Sequence, residues 1–576
     1  MNERLRPHRR RSIGLAGGFL AAYLLIFLIL PVGGLFKSAF FAASGTDTGI
    51  GIDALSIFID NPLYLDSLFN SIATALGAAG LAGIAALPVA AAVWRFRLRI
   101  PLLLGLFGFV PLFVPTFMLS LSLQSLLGRG GALGLLMQPA FDLDPVHWGL
   151  AGLAIVEAIH YFPLVLATLI LTTTDSARQA GEAARLGNSW WRLTTRVFLP
   201  LGLPGAAFGM AITFLKTLDD LATPLSLGVT NLLAPQAYFR VSTYGFQDPL
   251  ASMMAVVLIG VSMLAWIASA GFVHRAMPEN RPAPVTERHS TRQRRIATIG
   301  LSVIAAFYLF CYSGTLLSSL AGIWSHTTLP ESYILSHYAS ALENEAGRFV
   351  NTLLYCGFAA IADVLAGLVM ARAIDASPAR WHRWLTWAAT GLLGVPGVAL
   401  AIAYLQFFQG SHLPFTQIRL DAPWFLLSMA FSIRGLPFAL RSCAFALQQL
   451  PPPYLDAARM SGASRPAILW RVMLPMLRLS LLAAFLICFG VAAMDLSSAM
   501  LLVPSETDAP LSYAVYLHMQ TATGRGTGAA LVVLILIAIA TSMAIAALLI
   551  RRRRPSTGLR HIVMPESPAP SPRSTL

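Results

Sequence analysis

Gly181 to Pro200 reads GEAARLGNSWWRLTTRVFLP, and Asp456 to Pro475 reads DAARMSGASRPAILWRVMLP. Gly187 pairs with Gly462 and Pro200 with Pro475, each pair 275 residues apart. A segment repeated at a fixed spacing marks one structural unit built twice. Both copies are polar, and both interrupt a chain that is otherwise apolar. Hydrophobic residues fill 56% of the 576 positions and charged residues 11%, and mean hydropathy is +0.68. Soluble globular domains do not have this composition. Apolar runs of about 20 residues, enough to cross roughly 30 Å of hydrocarbon, recur along the chain. They lie at 13–35, 70–94, 101–127, 147–173, 200–218, 249–273, 296–325, 349–371, 384–409, 422–447, 476–500 and 528–550. The expected fold class is all-α: a polytopic membrane protein of about twelve spans, arranged as two tandem parallel six-helix repeats.

The net charge of +14 could suggest a nucleic-acid partner, but its placement argues for topology. Arg9 to Arg11, Arg95/Arg97/Arg99, Arg192/Arg196, Arg292/Arg294/Arg295, Arg380/Arg383 and Arg551 to Arg554 all fall on one side if each run crosses once. That side is cytoplasmic by the positive-inside rule, so both termini and both polar repeats are expected in the cytoplasm. The basic N-terminus before an apolar run resembles a signal peptide. The run is too long for one and no small-residue cleavage site follows, so a retained first span is expected. Cys311, Cys356, Cys443 and Cys488 sit in apolar runs without CxxC spacing and read as small buried hydrophobes.

The two halves match beyond the polar repeat. Asn70-Ser71 corresponds to Asn351-Thr352 and Pro115 to Pro396, both at 281 residues; Asp220 corresponds to Asp495, and Ala234-Pro235 with Tyr238 to Ala509-Pro510 with Tyr513, at 275. The expected boundaries are 1–65 for an N-terminal segment, first span and outer loop, 66–272 for the first repeat unit and 273–295 for a Pro- and charge-rich linker. A seventh span and outer loop follow at 296–346, the second unit at 347–548 and a basic, Pro/Ser-rich tail at 549–576.

At the polar repeats the chain resembles the permeases of binding-protein-dependent ABC importers, of the methionine-permease-like (type I) superfamily. Their cytoplasmic EAA loop has an acid, an Ala two residues on, a Gly six after the acid, and a Leu-Pro ending thirteen beyond that Gly. Asp456, Ala458, Gly462, Leu474 and Pro475 fit it, and Ala183, Gly187, Leu199 and Pro200 fit in the first copy, where Gly181 takes the acidic place and Glu182 follows. The Gly suits a helix end with positive φ and the Pro the start of the next helix. Ala and Gly would leave a shallow surface that another protein can approach. Trp190, Trp191 and Trp470 add residue types favoured at protein contacts. The resemblance implies two ABC ATPase copies docked on Glu182, Ala183, Gly187, Trp190, Trp191, Pro200, Asp456, Ala458, Gly462, Trp470 and Pro475. It also implies a periplasmic binding protein that delivers the substrate. The alternative is an amphipathic loop helix lying on lipid.

No GxxxxGK[ST] pattern occurs, and the only lysines are Lys37 and Lys216. ATP and Mg²⁺ would therefore be handled by a partner, and no cofactor, metal site or catalytic residue is expected in this chain. Ionisable groups inside apolar runs are costly and mark candidate pathways. Glu157 and His160 share a helical face, and Arg434 corresponds to His160 at 274 residues. The two basic groups could flank a central path, or Glu157 could neutralise His160. Asp219, Asp220 and Asp495 stand near the expected outer ends of their spans, where they could line a mouth or cap the next turn. Pro111, Pro115 and Pro396 are expected to kink or break spans along the path. Asp363 reads as structural. The candidate path is thus Glu157, His160, Asp220, Arg434 and Asp495. Fused permeases of this kind serve 2-aminoethylphosphonate, iron(III) and thiamine import. The stretches DDLATPLSLGVTNLLAPQAY and MDLSSAMLLVPSETDAPLSY look most like the first group, with iron(III) the close runner-up. A secondary transporter or channel needs no paired cytoplasmic loops.

Overall fold

In the computed structural model, residues 18–41, 53–96, 114–137, 144–175, 191, 194–276, 291–322, 324, 327–375, 377–378, 386–387, 389–412, 419–450, 452–521 and 523–552 are described. Twelve apolar helices run through them: α1 (Gly18–Phe41), α2 (Pro62–Phe96), α3 (Thr116–Leu127), α4 (Gly149–Asp175), α5 (Leu199–Asp219) and α6 (Pro249–Ala276) in the first half. The second half holds α7 (Thr291–Leu320), α8 (Ala346–Asp375), α9 (Gly397–Phe408), α10 (Pro423–Gln448), α11 (Leu474–Ala493) and α12 (Arg525–Arg552). Nine described helical stretches are long and apolar enough to span a membrane, and shorter apolar stretches in α3, α9 and α12 supply the rest. Only helices appear among the described elements, as an apolar environment demands when every backbone N–H and C=O must find a partner inside the chain.

Several expected spans are broken, for identifiable reasons. Pro115 and Pro396 have extended backbones (ψ 140° at both) and stand immediately before α3 and α9. Proline supplies no N–H, so each helix starts there without losing a hydrogen bond. Pro111 lies outside the described residues. The expected span 476–500 is α11 followed by a short helix, Leu496–Leu502, with the break at Asp495. Its first-half counterpart is the break at Asp220 before Ala222–Ser226.

Pro200 and Pro475 each stand in the first turn of α5 and α11, as expected, but neither helix starts from a loop. A five-residue π turn runs into each, Thr194–Phe198 ahead of α5 and Leu469–Met473 ahead of α11. Widening the preceding turn relieves the clash of the proline ring with the carbonyl four residues back. The same device precedes Leu30-Pro31 in α1, at Leu25–Ile29.

Packing repeats as the sequence does. In the first half α2, α4 and α5 pack on one another, as α8, α10 and α11 do in the second. The leading span of each half crosses over: α1 lies against α9, and α7 lies against α3. Tyr404 donates to the Phe27 carbonyl at 2.6 Å, and Ser122 donates to the Cys311 carbonyl at 2.7 Å. Asp363 is fully buried and accepts from Ser432 at 2.9 Å; the Ser432 hydroxyl also bonds the Tyr23 hydroxyl at 2.6 Å, tying α8, α10 and α1 together. All four cysteines are buried thiols. A shared core of Phe117, Met118, Leu218, Val398, Ile402 and Met500 closes the seam between the halves.

Candidate functional site: the central cavity and the repeated loop

A cavity of about 110 Å³ lies on the seam, lined from both halves. Pro115 and Thr116 border it at the start of α3, His160 and Tyr161 on α4, and Lys216, Asp219 and Asp220 at the end of α5. From the second half come Phe431, Arg434 and Phe438 of α10 and Asp495 to Ser497 after α11. Four of the five candidate path residues, His160, Asp220, Arg434 and Asp495, therefore line one space. Glu157 does not: it is fully buried and accepts from Thr217 at 3.2 Å.

The charges are arranged differently from the sequence expectation. Arg434 is not an open anion receptor, because its guanidinium donates to Asp495 on its own half and to Asp219 on the other. Arg434 is eleven residues along α10 from Pro423, about 17 Å at 1.5 Å per residue, and Asp219 and Asp495 stand at its level. Burying these charges singly would be costly, and pairing offsets that cost.

Asp220 and Asp495 also cap the turns that follow. Asp220 accepts from the amides of Ala222 at 3.0 Å and Thr223 at 3.3 Å. Asp495 accepts from the Ser498 amide at 3.2 Å. His160 bonds the Tyr312 hydroxyl at 3.0 Å, and its carbonyl accepts from Tyr308, so the seventh span holds it in place.

Sequence reasoning missed Lys216, whose signal was a lone lysine in an apolar run, and Gly397, where a Cβ would overlap the Arg434 guanidinium. Asp219 and Arg434 both stood out in the sequence, but their pairing across the seam did not. Among the described residues no cluster of three or more His, Cys, Asp or Glu has metal-binding geometry.

The second polar repeat forms two short helices, Pro452–Met460 and Arg465–Ile468. Gly462 has φ of +75°. Its amide reaches the Arg459 carbonyl at 3.0 Å, and the Ala463 amide the Ala458 carbonyl at 3.1 Å, the paired bonds of a Schellman turn. Leu455, Ala458 and Ala463 turn inward against Ala446, Ile468 and Leu477. Ala458 thus seats the helix on α10 and α11 and does not form the outer surface expected of it. Tyr454, Met460 and Trp470 face outward, Met460 at 89% exposure, and Asp456 pairs with Arg459 at 2.9 Å on the surface. In the first copy, Glu182, Ala183, Gly187 and Trp190 lie outside the described residues. Trp191 is 72% exposed, and Pro200 begins α5.

A family model described as the inner membrane component of binding-protein-dependent transport systems matches residues 363–555, which contain the Gly462 turn, Arg434 and Asp495. A ferric transport system permease, FbpB of Actinobacillus pleuropneumoniae, is 23% identical over 518 residues, covering 86% of this chain and 73% of its own length. The chain is a fused, binding-protein-dependent ABC permease. The permease is also 22% identical over 506 residues to FbpB 1 of Haemophilus influenzae, covering 84% of this chain and 77% of that one. The spermidine/putrescine permease PotC of Escherichia coli is 25% identical over 261 residues, 44% of this chain and 92% of its own. A permease that matches fused relatives over nearly its whole length and a single-unit relative over less than half is a double-length, multi-pass inner-membrane pore subunit.

Proposed function

We propose that this permease translocates iron(III), delivered by a periplasmic binding protein, under the drive of two ATPase copies that dock on the repeated polar loops. The observation that carries the reading is the likeness of 86% of the chain to a ferric transport permease. The lining of the seam cavity supports it. Three carboxylates, Asp219, Asp220 and Asp495, outnumber the basic side chains of Lys216 and Arg434 there, a charge balance that suits a cation more than an anion. A basic pair at His160 and Arg434 would be compatible with a phosphonate anion, but it loses force once Arg434 is committed to two aspartates.

His160, Asp220, Arg434 and Asp495 form the path in this reading, with Glu157 behind it. Both termini face the cytoplasm, as the arginine clusters favour. Trp191, Asp456, Gly462 and Trp470 meet the ATPases, which supply the ATP and Mg²⁺ chemistry, and the described part of the first copy repeats the π turn of the second.

The test is ATP hydrolysis by the complex reconstituted in liposomes, with the binding protein loaded in turn with iron(III), 2-aminoethylphosphonate and thiamine. Stimulation and uptake are expected with iron(III). Stimulation by either organic ligand with none by iron(III) would overturn the cargo and leave the importer reading standing.

A further inference from the structure

We propose that Asp219 and Arg434 form a single latch between the two halves, which holds the translocation path shut at rest. The proposal rests on the reading of the chain as a pore that alternates between closed and open states.

Asp219 ends α5 of the first half, yet its described hydrogen bonds across the cavity all go to the second. Oδ1 accepts from the amides of Gly397 at 2.6 Å and Val398 at 3.3 Å. Oδ2 faces the Arg434 guanidinium, and the Asp219 carbonyl accepts from Ser497 at 2.9 Å. One residue thus grips the start of α9, the middle of α10 and the turn after α11. Asp495 holds the other arm of Arg434, so the guanidinium is clamped in a planar fork. Gly397 makes the seat possible, since any side chain there would displace the guanidinium.

Position and asymmetry point to a gate more than to a girder. Arg434, Asp219, Lys216 and Phe438 line both the seam cavity and a second, narrower one beside Leu392 to Pro396. The pair therefore borders both spaces, with Lys216 and Phe438 beside it. In this proposal the pair obstructs movement between the two spaces while it holds. The duplicated architecture would allow a mirror latch, but His160 stands where the second half has Arg434, and Met494 stands where the first half has Asp219. There is one latch, and it yields when the halves separate at one place.

A buried ion pair resists separation because each partner is left uncompensated. An ATPase-driven movement can break it while exposing both partners to the water of the opening path. Weakening the latch should therefore shift the resting population toward open forms.

The experiment uses the full chain with its ATPase in planar bilayers, without nucleotide or binding protein, reading conductance in potassium chloride. Asp219→Asn keeps the shape of the side chain and its acceptor for Gly397 while removing the charge. Gly397→Ala unseats Arg434 from the other side. Each is expected to raise resting conductance and binding-protein-independent ATP hydrolysis by about five-fold or more. The double variant should add little to either, because both act on one contact. Unchanged conductance in both single variants, or fully multiplicative effects in the double, would overturn the latch. If Gly397→Ala fails to assemble, the near-isosteric Asp219→Asn decides alone. Failure of the parent complex to transport under ATP would instead count against the importer reading and leave the conductance comparison intact.

Discussion

Ser71 and Thr352 each hold a backbone amide far away in sequence. The Leu233 amide donates to Ser71 at 2.8 Å and the Leu511 amide to Thr352 at 2.7 Å. Asn70 and Asn351, their neighbours, donate to the carbonyls of Asn231 and Thr507. The paired Asn-Ser and Asn-Thr dipeptides are thus the same clamp on the same loop in each half. An amide buried without its acceptor costs about 1–3 kcal/mol. Thr352→Val should lower the melting temperature of the purified protein while Thr352→Ser restores it; equal melting of the two would mean the clamp contributes nothing.

A second residue-scale prediction concerns the loop between α9 and α10. The Arg419 guanidinium donates to Asp421 in a fork at 2.9 and 3.0 Å and holds its carboxyl below the usual carboxylate range. Asp421 also accepts from the Gly410 amide at 3.2 Å. Because the folded-state pKa is depressed, the stabilisation is present above the unfolded pKa near 4 and is lost as pH falls through the lower folded value. Protection of the Gly410 amide from hydrogen exchange should hold above about pH 4 and fall below it. Asp421→Asn should abolish that dependence, and an unchanged profile in the variant would refute it.

At the scale of the element, the Gly462 turn joins local geometry to coupling. Its φ of +75° costs an L-residue about 1–2 kcal/mol, and a Cβ there would meet nothing within 4 Å. Gly462→Arg should therefore leave the spans folded while distorting the turn and masking the surface beside Met460 and Trp470. ATPase retention on the purified permease is expected to fall by about ten-fold or more, with far-ultraviolet circular dichroism unchanged. Full retention would remove this loop from the docking surface.

That turn was legible because a left-handed residue leaves a glycine behind, and the breaks at Pro115 and Pro396 because proline leaves no choice. The π turns before Pro200 and Pro475 were not. A shift of one hydrogen-bond register needs no particular residue type, only a proline downstream that is equally compatible with a helix start. Ala458 was misread for a related reason: the motif fixes its spacing along the helix, whereas the side it presents depends on how the helix lies against α10 and α11.

At the scale of the whole molecule, duplication was readable from spacing alone, because 275 and 281 recur through both halves. The crossing of α1 onto α9 and of α7 onto α3 was not, since apolar periodicity says that a helix is buried and not by what. The seam contact of Asp219 with Arg434 was hidden in the same way. This crossing leads to a prediction about assembly. A chain cut between Pro282 and Ala283 yields two pieces, each with six of the twelve helices and a leading span that belongs against the other. Helices that satisfy their own backbone are stable one by one in the bilayer and associate afterwards by packing. Joining the pieces by the linker then serves to raise their effective concentration. Co-expressed pieces 1–282 and 283–576 should co-purify and transport, whereas either piece alone leaves a face exposed: α9 without Phe27 and α10 without Tyr23 of α1, or α3 without the α7 backbone that bonds Ser122. Each piece expressed alone should be cleared by proteolysis, and Ser122→Val, which deletes the acceptor of the Thr315 amide, should weaken co-purification of the pair more than it affects the intact chain. Stable, monodisperse single pieces would mean that the crossed spans are passengers and do not hold the halves together.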